Sequence, residues 1–313
     1  MKAVAERVRA LLDPPVPLPG QGQTATRWKR LTDAARADVV VGRLLEGNAD
    51  ADAILAELTS QRVEPGQWWG VWAAEPPLPV LSADMGPDDG WILNGTKAWC
   101  SGAGLCTHAL VTARHGGQRP LLAVDLSHPG VSVDLDAWQA VGMSRSATGS
   151  VTFDHVPARV VGGPGDYLDR PGFWHGGVGV AACWLGGAEA VADTLRRAAS
   201  RRPLDEHAAA HLGAVDAALA GATWSMQAAA AEVDADPTDR DAAQRRAMRV
   251  RAVVEAAATL TVDRVGRALG AAPLALDARH STAVNDLTVY LRQSHAERDL
   301  AVLGRLASPE ATR

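Results

Sequence analysis

The sequence predicts an α+β protein built in three successive parts, because the pattern of residues changes twice along the chain. Residues 1–62 carry apolar residues at helical spacing, interrupted by the proline-rich break "DPPVPLPGQG". Residues 63–165 hold short alternating runs bounded by Gly, Pro, Asp or Asn, a pattern typical of an antiparallel β-barrel or sandwich. Residues 171–306 are rich in Ala and contain no strand pattern, so they are predicted to be helical.

We expect four long helices in the last part, over residues 176–200, 205–233, 237–269 and 274–306. Pro203, the "DADPTD" turn and the "GAAP" segment separate them. Four consecutive helices with short connections predict an antiparallel four-helix bundle. The amino-terminal part is only a short helical segment by comparison.

Composition and charge exclude several classes of function. The 313 residues are 47% hydrophobic and 21% charged, which suits a globular protein with a sizeable core. A formal net charge of −5 lacks the basic excess that a nucleic-acid partner requires. No apolar run reaches the roughly 18 residues of a membrane span, and the charged opening "MKAVAERVRALLDPP" does not resemble a signal peptide. Three cysteines without disulfide or zinc spacing favour a cytoplasmic protein with no metal site.

One stretch of the middle part, "GWILNGTKAWCSGAG", is the most informative of the sequence. Trp91, Leu93 and Trp99 alternate with polar neighbours, as in a strand. Asn94-Gly95 is the dipeptide that favours a type I′ hairpin turn. The pattern therefore predicts a hairpin, with Lys97 to Ser101 on the strand that leaves the turn.

This stretch resembles the acyl-CoA dehydrogenase family, whose middle domain carries the pattern G-x-x-LNG-x-K-x-W-I-[TS]-[NG]. The later run "VGMSRSATGSVTFDHVPA" is similar to the family's next conserved segment, and "GVWAAEPP" lies where the family has a T-E-P-x-x-G-S-D loop, keeping Glu75 and Pro76. The resemblance implies an acyl-CoA dehydrogenase-like fold for the chain. It covers about residues 66–304 and is weak in the first helical segment.

The resemblance also implies FAD as cofactor. Trp99 would flank the isoalloxazine ring and Ser101 would hydrogen-bond its N5 edge, where a positioned donor stabilises charge on the reduced ring. Arg202 would reach the flavin diphosphate of a partner subunit. "RALGAAP" would approach the same diphosphate through Arg267 and Gly270. From the residues alone, without the surrounding match, the favoured interpretation is that Trp99 is a core residue of the barrel and Ser101 a turn residue.

The activity implied is α,β-dehydrogenation of an acyl-CoA or other acyl thioester, with hydride transfer to FAD N5 and electrons passed to an external acceptor. This reaction needs a carboxylate base, yet the two family positions fall on Ser294 and Arg196. His295 lies one residue from the first position and has a suitable imidazole, although one residue is a rotation of about 100° on a helix. The competing interpretation is that "RQSHAERD" is a solvated helical face.

Three functions are therefore compatible with the sequence. The first is the dehydrogenase, as a homo-oligomer or as a heteromer whose paralogous subunit supplies the base. The second is a flavin monooxygenase on the same fold, which needs no α-proton base. The third is a non-catalytic subunit, favoured by the altered T-E-P-x-x-G-S-D loop and opposed by the retained Trp99, Ser101 and Arg202.

Overall fold

A computed structural model describes residues 1–86 and 90–308 of the chain. The packing of its Cα atoms divides it into two compact units. The first unit contains the strands and comprises Met1–Leu18, Leu44–Ala140 and Ser144–Phe173. The second is helical and comprises Pro19–Arg43, Val141–Met143 and the chain from Trp174 onward. The predicted domains 1–62, 63–165 and 171–306 follow secondary structure rather than compactness, and they stay predictions.

In the described part of the chain, three helices and seven strands precede the short helix α4 (Asp166–Asp169). The helices are α1 (Lys2–Leu12), α2 (Thr24–Ala37) and α3 (Val39–Thr59). The strands are β1 (Trp69–Trp72), β2 (Leu81–Met85), β3 (Trp91–Cys100), β4 (His108–Thr112), β5 (Leu121–Asp125), β6 (Val131–Asp134) and β7 (Gly149–Val160).

The strands form a barrel, as predicted. Their order is β1-β4-β5-β7-β3-β2, with β6 paired to β7. The backbone of Arg114, two residues beyond β4, closes the circle, because its N–H donates to the Leu81 carbonyl and its carbonyl accepts from the Ala83 N–H, both at 2.9 Å. The sheet is mixed rather than wholly antiparallel, since β1 runs parallel to β4. The intervening β2 and β3 supply the long crossover that a parallel pair requires.

Both faces of β4 and β5 are buried, which explains their nearly continuous apolar sequences. On the inner face, Val111 and Leu122 pack with residues of the barrel core. On the outer face, Leu110 and Leu121 pack against Ile54 of α3. Alternate side chains of a strand point to opposite faces, so covering both faces removes the usual polar alternation.

Asn94-Gly95 is not a hairpin turn, contrary to the sequence-based prediction. Both residues lie inside the continuous strand β3, at a register shift in its pairing with β7. Gly95 has a φ of +107°, and a Cβ there would lie 2.4 Å from the Val80 carbonyl oxygen. The positive φ that the dipeptide favours instead lets the backbone pass close to the segment before β2, opposite a β-bulge that β7 forms at Asp154 and His155.

The helical unit is built mainly from long helices, as expected. After the short α4 (Asp166–Asp169) come α5 (Pro171–Arg201), α6 (Glu206–Ala235), α7 (Arg240–Leu269), α8 (Ala272–Leu276), α9 (Ala278–Leu291) and α10 (Glu297–Ala307).

The fourth predicted helix, 274–306, is divided into three pieces. Asp277 caps α9 by accepting hydrogen bonds from the Arg279 and His280 N–H groups, at 3.0 and 3.1 Å. Residues 292–296 form a turn in which Ala296 has a φ of +45°. The segment "RQSHAERD" is therefore a helix break followed by the start of α10, and not a helical face.

By length and composition alone, helix α5 could cross a membrane. However, 72% of its most apolar window is buried inside the protein. Its apolar residues thus have protein neighbours, as in the core helix of a globular domain.

Replacing Gly142 with Ala tests the packing of segment 141–143 in the helical unit. A Cβ at Gly142 would lie 2.2 Å from the Asn285 carbonyl oxygen and 2.7 Å from Val289, so backbone must move. We expect a destabilisation of about 1–3 kcal/mol in urea unfolding. The control is Gly221→Ala in α6, where a Cβ meets nothing within 4 Å and helix propensity predicts a gain of up to about 1 kcal/mol. Equal stability of the two variants would contradict the packing described here.

Candidate functional site

Trp99 and Ser101, predicted to hold the flavin ring, lie together where β3 leaves the barrel. A second register shift separates Lys97 from Cys100 in the pairing of β3 with β7, and Trp99 within it has a φ of +58°. This conformation is strained for a bulky residue. The indole is 59% exposed, so Trp99 is not the core residue that the structural alternative proposed. Among the described residues, the Ser101 hydroxyl has no hydrogen-bond partner, whereas its carbonyl accepts from Trp72 Nε1 at 3.0 Å.

A buried ion pair anchors the loop that follows β1 to the same strand. Lys97 Nζ donates to Glu75 Oε1 at 3.0 Å and to Thr112 Oγ1 at 2.9 Å, and Thr112 Oγ1 donates to Glu75 at 2.7 Å. Burial lowers the pKa of Lys97, and the hydrogen bond and charge of Glu75 only partly oppose it. Burial would raise the pKa of Glu75, but hydrogen bonds from Thr112 and Lys97 together with nearby cations bring it below its ordinary value.

Arg202, Arg267 and Gly270 come to the same end of the helical unit. Arg202 follows α5 directly, and α6 begins a few residues later. Arg264, near the end of α7, lies 3.4 Å from His211, near the start of α6. The guanidinium of Arg267 is exposed and 3.6 Å from Asp263. Gly270 ends α7 with φ 66° and ψ −156°, a conformation restricted to glycine, and nothing lies within 4 Å of where its Cβ would be.

The position that the resemblance assigns to the catalytic base lies on the turn between α9 and α10. Ser294 Oγ donates to Glu255 Oε2 of α7 at 2.6 Å. A carboxylate is thus present near the expected base position, but it belongs to Glu255, which is hydrogen-bonded to the serine at that position. Sequence reasoning missed Glu255 because it stands 39 residues earlier, on another helix. Arg196, at the alternative base position, pairs with Glu189 and Asp193.

His295 has a different partner from this pair. Its side chain is exposed, and Nδ1 lies 3.3 Å from Asp299 of α10. Arg267 lies about 18 Å further along α7 than Glu255, at a rise of 1.5 Å per residue. The structure therefore separates His295 and the Ser294 position from the diphosphate residues predicted at the end of the helices. A catalytic role for His295 stays a prediction.

A cavity of about 530 Å³ lies beside Ser294, within the helical unit. Its volume falls in the range that holds small organic ligands. Glu255 contributes one wall, and the apolar side chains of Met248, Leu260 and Leu300 contribute others. Among the described residues, the Glu255 carboxylate has two polar partners. One is Ser294, and the other is Arg292, whose Nη2 lies 3.8 Å from Glu255 Oε1.

The residues around Trp99 fit a flavin. An exposed indole held by a strained backbone offers a flat surface for an aromatic ring. The Ser101 hydroxyl has hydrogen-bonding capacity that no described residue uses. At the helical end, the exposed guanidinium of Arg267 and the open space at Gly270 fit a phosphate that approaches the backbone closely.

The strand-containing part of the chain matches a known protein family. A sequence profile for the acyl-CoA dehydrogenase middle domain matches residues 80–156. An L-evernosamine nitrososynthase from a Micromonospora species is 32% identical over 147 residues, which cover 44% of this chain and 30% of that protein. The match therefore spans less than a third of the length of this curated relative.

Solved structures extend the likeness to most of the chain. Dibenzothiophene monooxygenase TdsC from a Paenibacillus species, solved with FMN and indole, has a TM-score of 0.76 at 20% identity, covering 90% of this chain and 82% of that one. Butyryl-CoA dehydrogenase from Megasphaera elsdenii has a TM-score of 0.78 at 16% identity, covering 90% and 81%. At such identities the likeness shows the fold. Residues 80–156 therefore match the acyl-CoA dehydrogenase middle domain, and the chain as a whole has an acyl-CoA dehydrogenase-like fold.

Proposed function

We propose that this chain is a flavin-dependent monooxygenase that acts on a small organic molecule. One observation carries the proposal: the position of the dehydrogenase base holds a hydroxyl, Ser294, while Trp99 and Ser101 retain the features that suit a flavin. Removal of an α-proton needs a base in contact with the substrate, and a serine hydroxyl is no such base at neutral pH. Oxygenation does not require that step.

The relatives support the same direction. The nitrososynthase and the dibenzothiophene monooxygenase are named for reactions of small heteroatom-containing molecules, and neither name refers to an acyl thioester. Because the sequence match covers only part of the nitrososynthase, the transfer of its chemistry to this chain belongs to the proposal. The cavity of about 530 Å³ would accept a molecule of comparable size to indole or dibenzothiophene.

Each unit has a proposed role of its own. In the strand unit, Trp99 packs against the flavin ring and Ser101 hydrogen-bonds its edge. In the helical unit, Arg202 and Arg267 hold phosphate, and Glu255 takes or returns a proton through the Ser294 hydroxyl. The reduced flavin, when bound, supplies two electrons to dioxygen. FAD is the cofactor that the family resemblance implies, and FMN is the flavin solved with TdsC, so titration with both decides between them.

Dehydrogenation of an acyl thioester is the second candidate, and a specific contact favours it. The Glu255 carboxylate accepts a hydrogen bond from the residue at the base position, so a small movement of the 292–296 turn could exchange hydroxyl for carboxylate. His295 would be the base if the turn rotated instead. This candidate also requires an electron-transfer acceptor.

The assembly and location complete the proposal. An arginine that reaches a partner's flavin requires at least two subunits, so we propose a cytoplasmic homo-oligomer or a heteromer with a paralogous chain. The mass of the purified protein by light scattering separates the two arrangements. A colourless protein that takes up neither FAD nor FMN would instead favour the non-catalytic subunit.

The deciding experiment supplies the flavin-loaded protein with a reductant and ¹⁸O₂. Indole and dibenzothiophene test oxygenation, and butyryl-CoA added anaerobically to the oxidised flavoprotein without reductant tests dehydrogenation. Label recovered in an oxygenated product supports the monooxygenase. Bleaching of the flavin by butyryl-CoA with formation of the enoyl thioester would overturn it in favour of the second candidate.

Replacing Trp99 with Ala is expected to weaken flavin binding about tenfold or more, since it removes an aromatic contact worth on the order of 1–3 kcal/mol. Flavin fluorescence quenching on titration measures it. The matched control is Trp224→Ala in α6, another tryptophan that is largely exposed, at 67%. We expect the control to bind flavin like the wild type, and an equal effect of both substitutions would remove Trp99 from the cofactor site.

Replacing Glu255 with Gln preserves shape but removes the proton acceptor. We expect turnover to fall by roughly 10²-fold or more, with unchanged flavin affinity. The control is Asp241→Asn, which also removes one carboxylate from α7 but at an exposed position near its start. If Glu255→Gln keeps the wild-type rate, Glu255 moves no proton in the reaction.

A further inference from the structure

A concentration of positive charge surrounds Glu75 in the strand unit. Lys97 Nζ lies 3.0 Å from Glu75 Oε1. Arg114 Nε and Arg119 Nε each lie 3.7 Å from the other carboxylate oxygen, Oε2. One carboxylate is therefore shared by three cations. Because both Nε atoms lie 3.7 Å from the same oxygen, the two guanidinium groups are close neighbours.

The cluster carries two positive charges in excess, although the whole chain has a net charge of −5. Lys97 is buried and uses all three of its N–H donors on Glu75 and Thr112. The excess charge therefore resides on Arg114 and Arg119, whose side chains are 44% and 57% exposed. Within residues 1–86 and 90–308, neither guanidinium donates a hydrogen bond, so their N–H groups are available to a ligand.

The backbone fixes where the two arginines stand. Arg114 closes the barrel through its hydrogen bonds with Leu81 and Ala83. Arg119 lies across the tight β4–β5 turn, in which His115 and Gln118 exchange backbone hydrogen bonds of 3.1 and 2.7 Å. Positions fixed in this way reduce the conformational entropy that binding would otherwise cost.

We propose that Arg114 and Arg119 form a binding site for a phosphate group. Two guanidinium groups match the charge of a phosphate dianion, and each can donate two parallel hydrogen bonds to its oxygens. Glu75 holds the pair together at one side and leaves the exposed edges free for the ligand. The phosphate belongs either to the flavin or to the substrate. The inference does not depend on the proposed oxygenation.

The test uses pyrophosphate as the probe, titrated into the purified full-length protein at constant ionic strength by isothermal calorimetry. We expect Arg114→Gln/Arg119→Gln to weaken binding at least tenfold. The control, Arg159→Gln, removes from β7 of the same unit an exposed arginine that has no ion pair with any residue the structure describes, and we expect it to bind like the wild type. Circular dichroism and thermal melting verify that all variants are folded.

Pairing FMN with riboflavin identifies the source of the phosphate. If the flavin supplies it, the preference for FMN over riboflavin falls in the double variant as well. If the substrate supplies it, pyrophosphate binding falls while that preference is unchanged. Wild-type protein that binds no pyrophosphate, or a double variant that binds it as tightly as the wild type, would overturn the proposal without affecting the tests of oxygenation.

Discussion

The buried Lys97–Glu75 ion pair is the interaction on which the strand unit depends most. Isolated charges are costly to remove from water, and such a pair is tolerated only when its remaining hydrogen-bonding groups are satisfied. Thr112 satisfies them from β4, so the pair joins β3, β4 and the loop after β1 at one point. The closure of the barrel by Arg114 occurs two residues beyond Thr112. The same carboxylate that stabilises the closure also gathers the exposed arginines.

Strain and exposure mark the other important feature of this unit. A tryptophan at positive φ, largely exposed, is unfavourable both for the backbone and for the apolar ring. Ladder pairing of β3 with β7 on both sides of the bulge holds Trp99 in this conformation. Such an arrangement is explained if the indole serves a ligand. In the proposed function, the bulge at Ala98-Trp99 presents the indole to the aromatic ring of the flavin.

In the helical unit, the hydrogen bond between Ser294 and Glu255 bears on the absence of a carboxylate from the predicted base position. The sequence indicates that a carboxylate is missing from the base position. The structure places one beside it, because a break between α9 and α10 turns Ser294 toward the middle of α7. Had the predicted single helix over 274–306 formed, the serine would have remained on a regular helical face. The site therefore owes its geometry to a helix end rather than to a helix.

The sequence by itself determined most of the elements and the fold that they build. Apolar periodicity located the helices, short alternating runs located the strands, and the "WILNGTKAWC" stretch with its surroundings indicated the acyl-CoA dehydrogenase-like fold. These features are local, since helical and strand periodicities depend on residues within a few positions of one another. Even so, one local signal is compatible with two structures, and Asn94-Gly95 lies inside a strand opposite a bulge of β7 where a turn was expected.

Only the tertiary structure decided which distant residues meet. The parallel pairing of β1 with β4, the contact between Glu75 and Lys97 across 22 residues, and that between Glu255 and Ser294 across 39 have no signature in the local sequence. The sequence does not distinguish one exposed arginine from another. The position of Arg114 and Arg119 around the Glu75 carboxylate therefore could not be predicted from it. The physical reason is that packing and hydrogen bonding select partners by position in space, and the chain reveals that position only once it is folded.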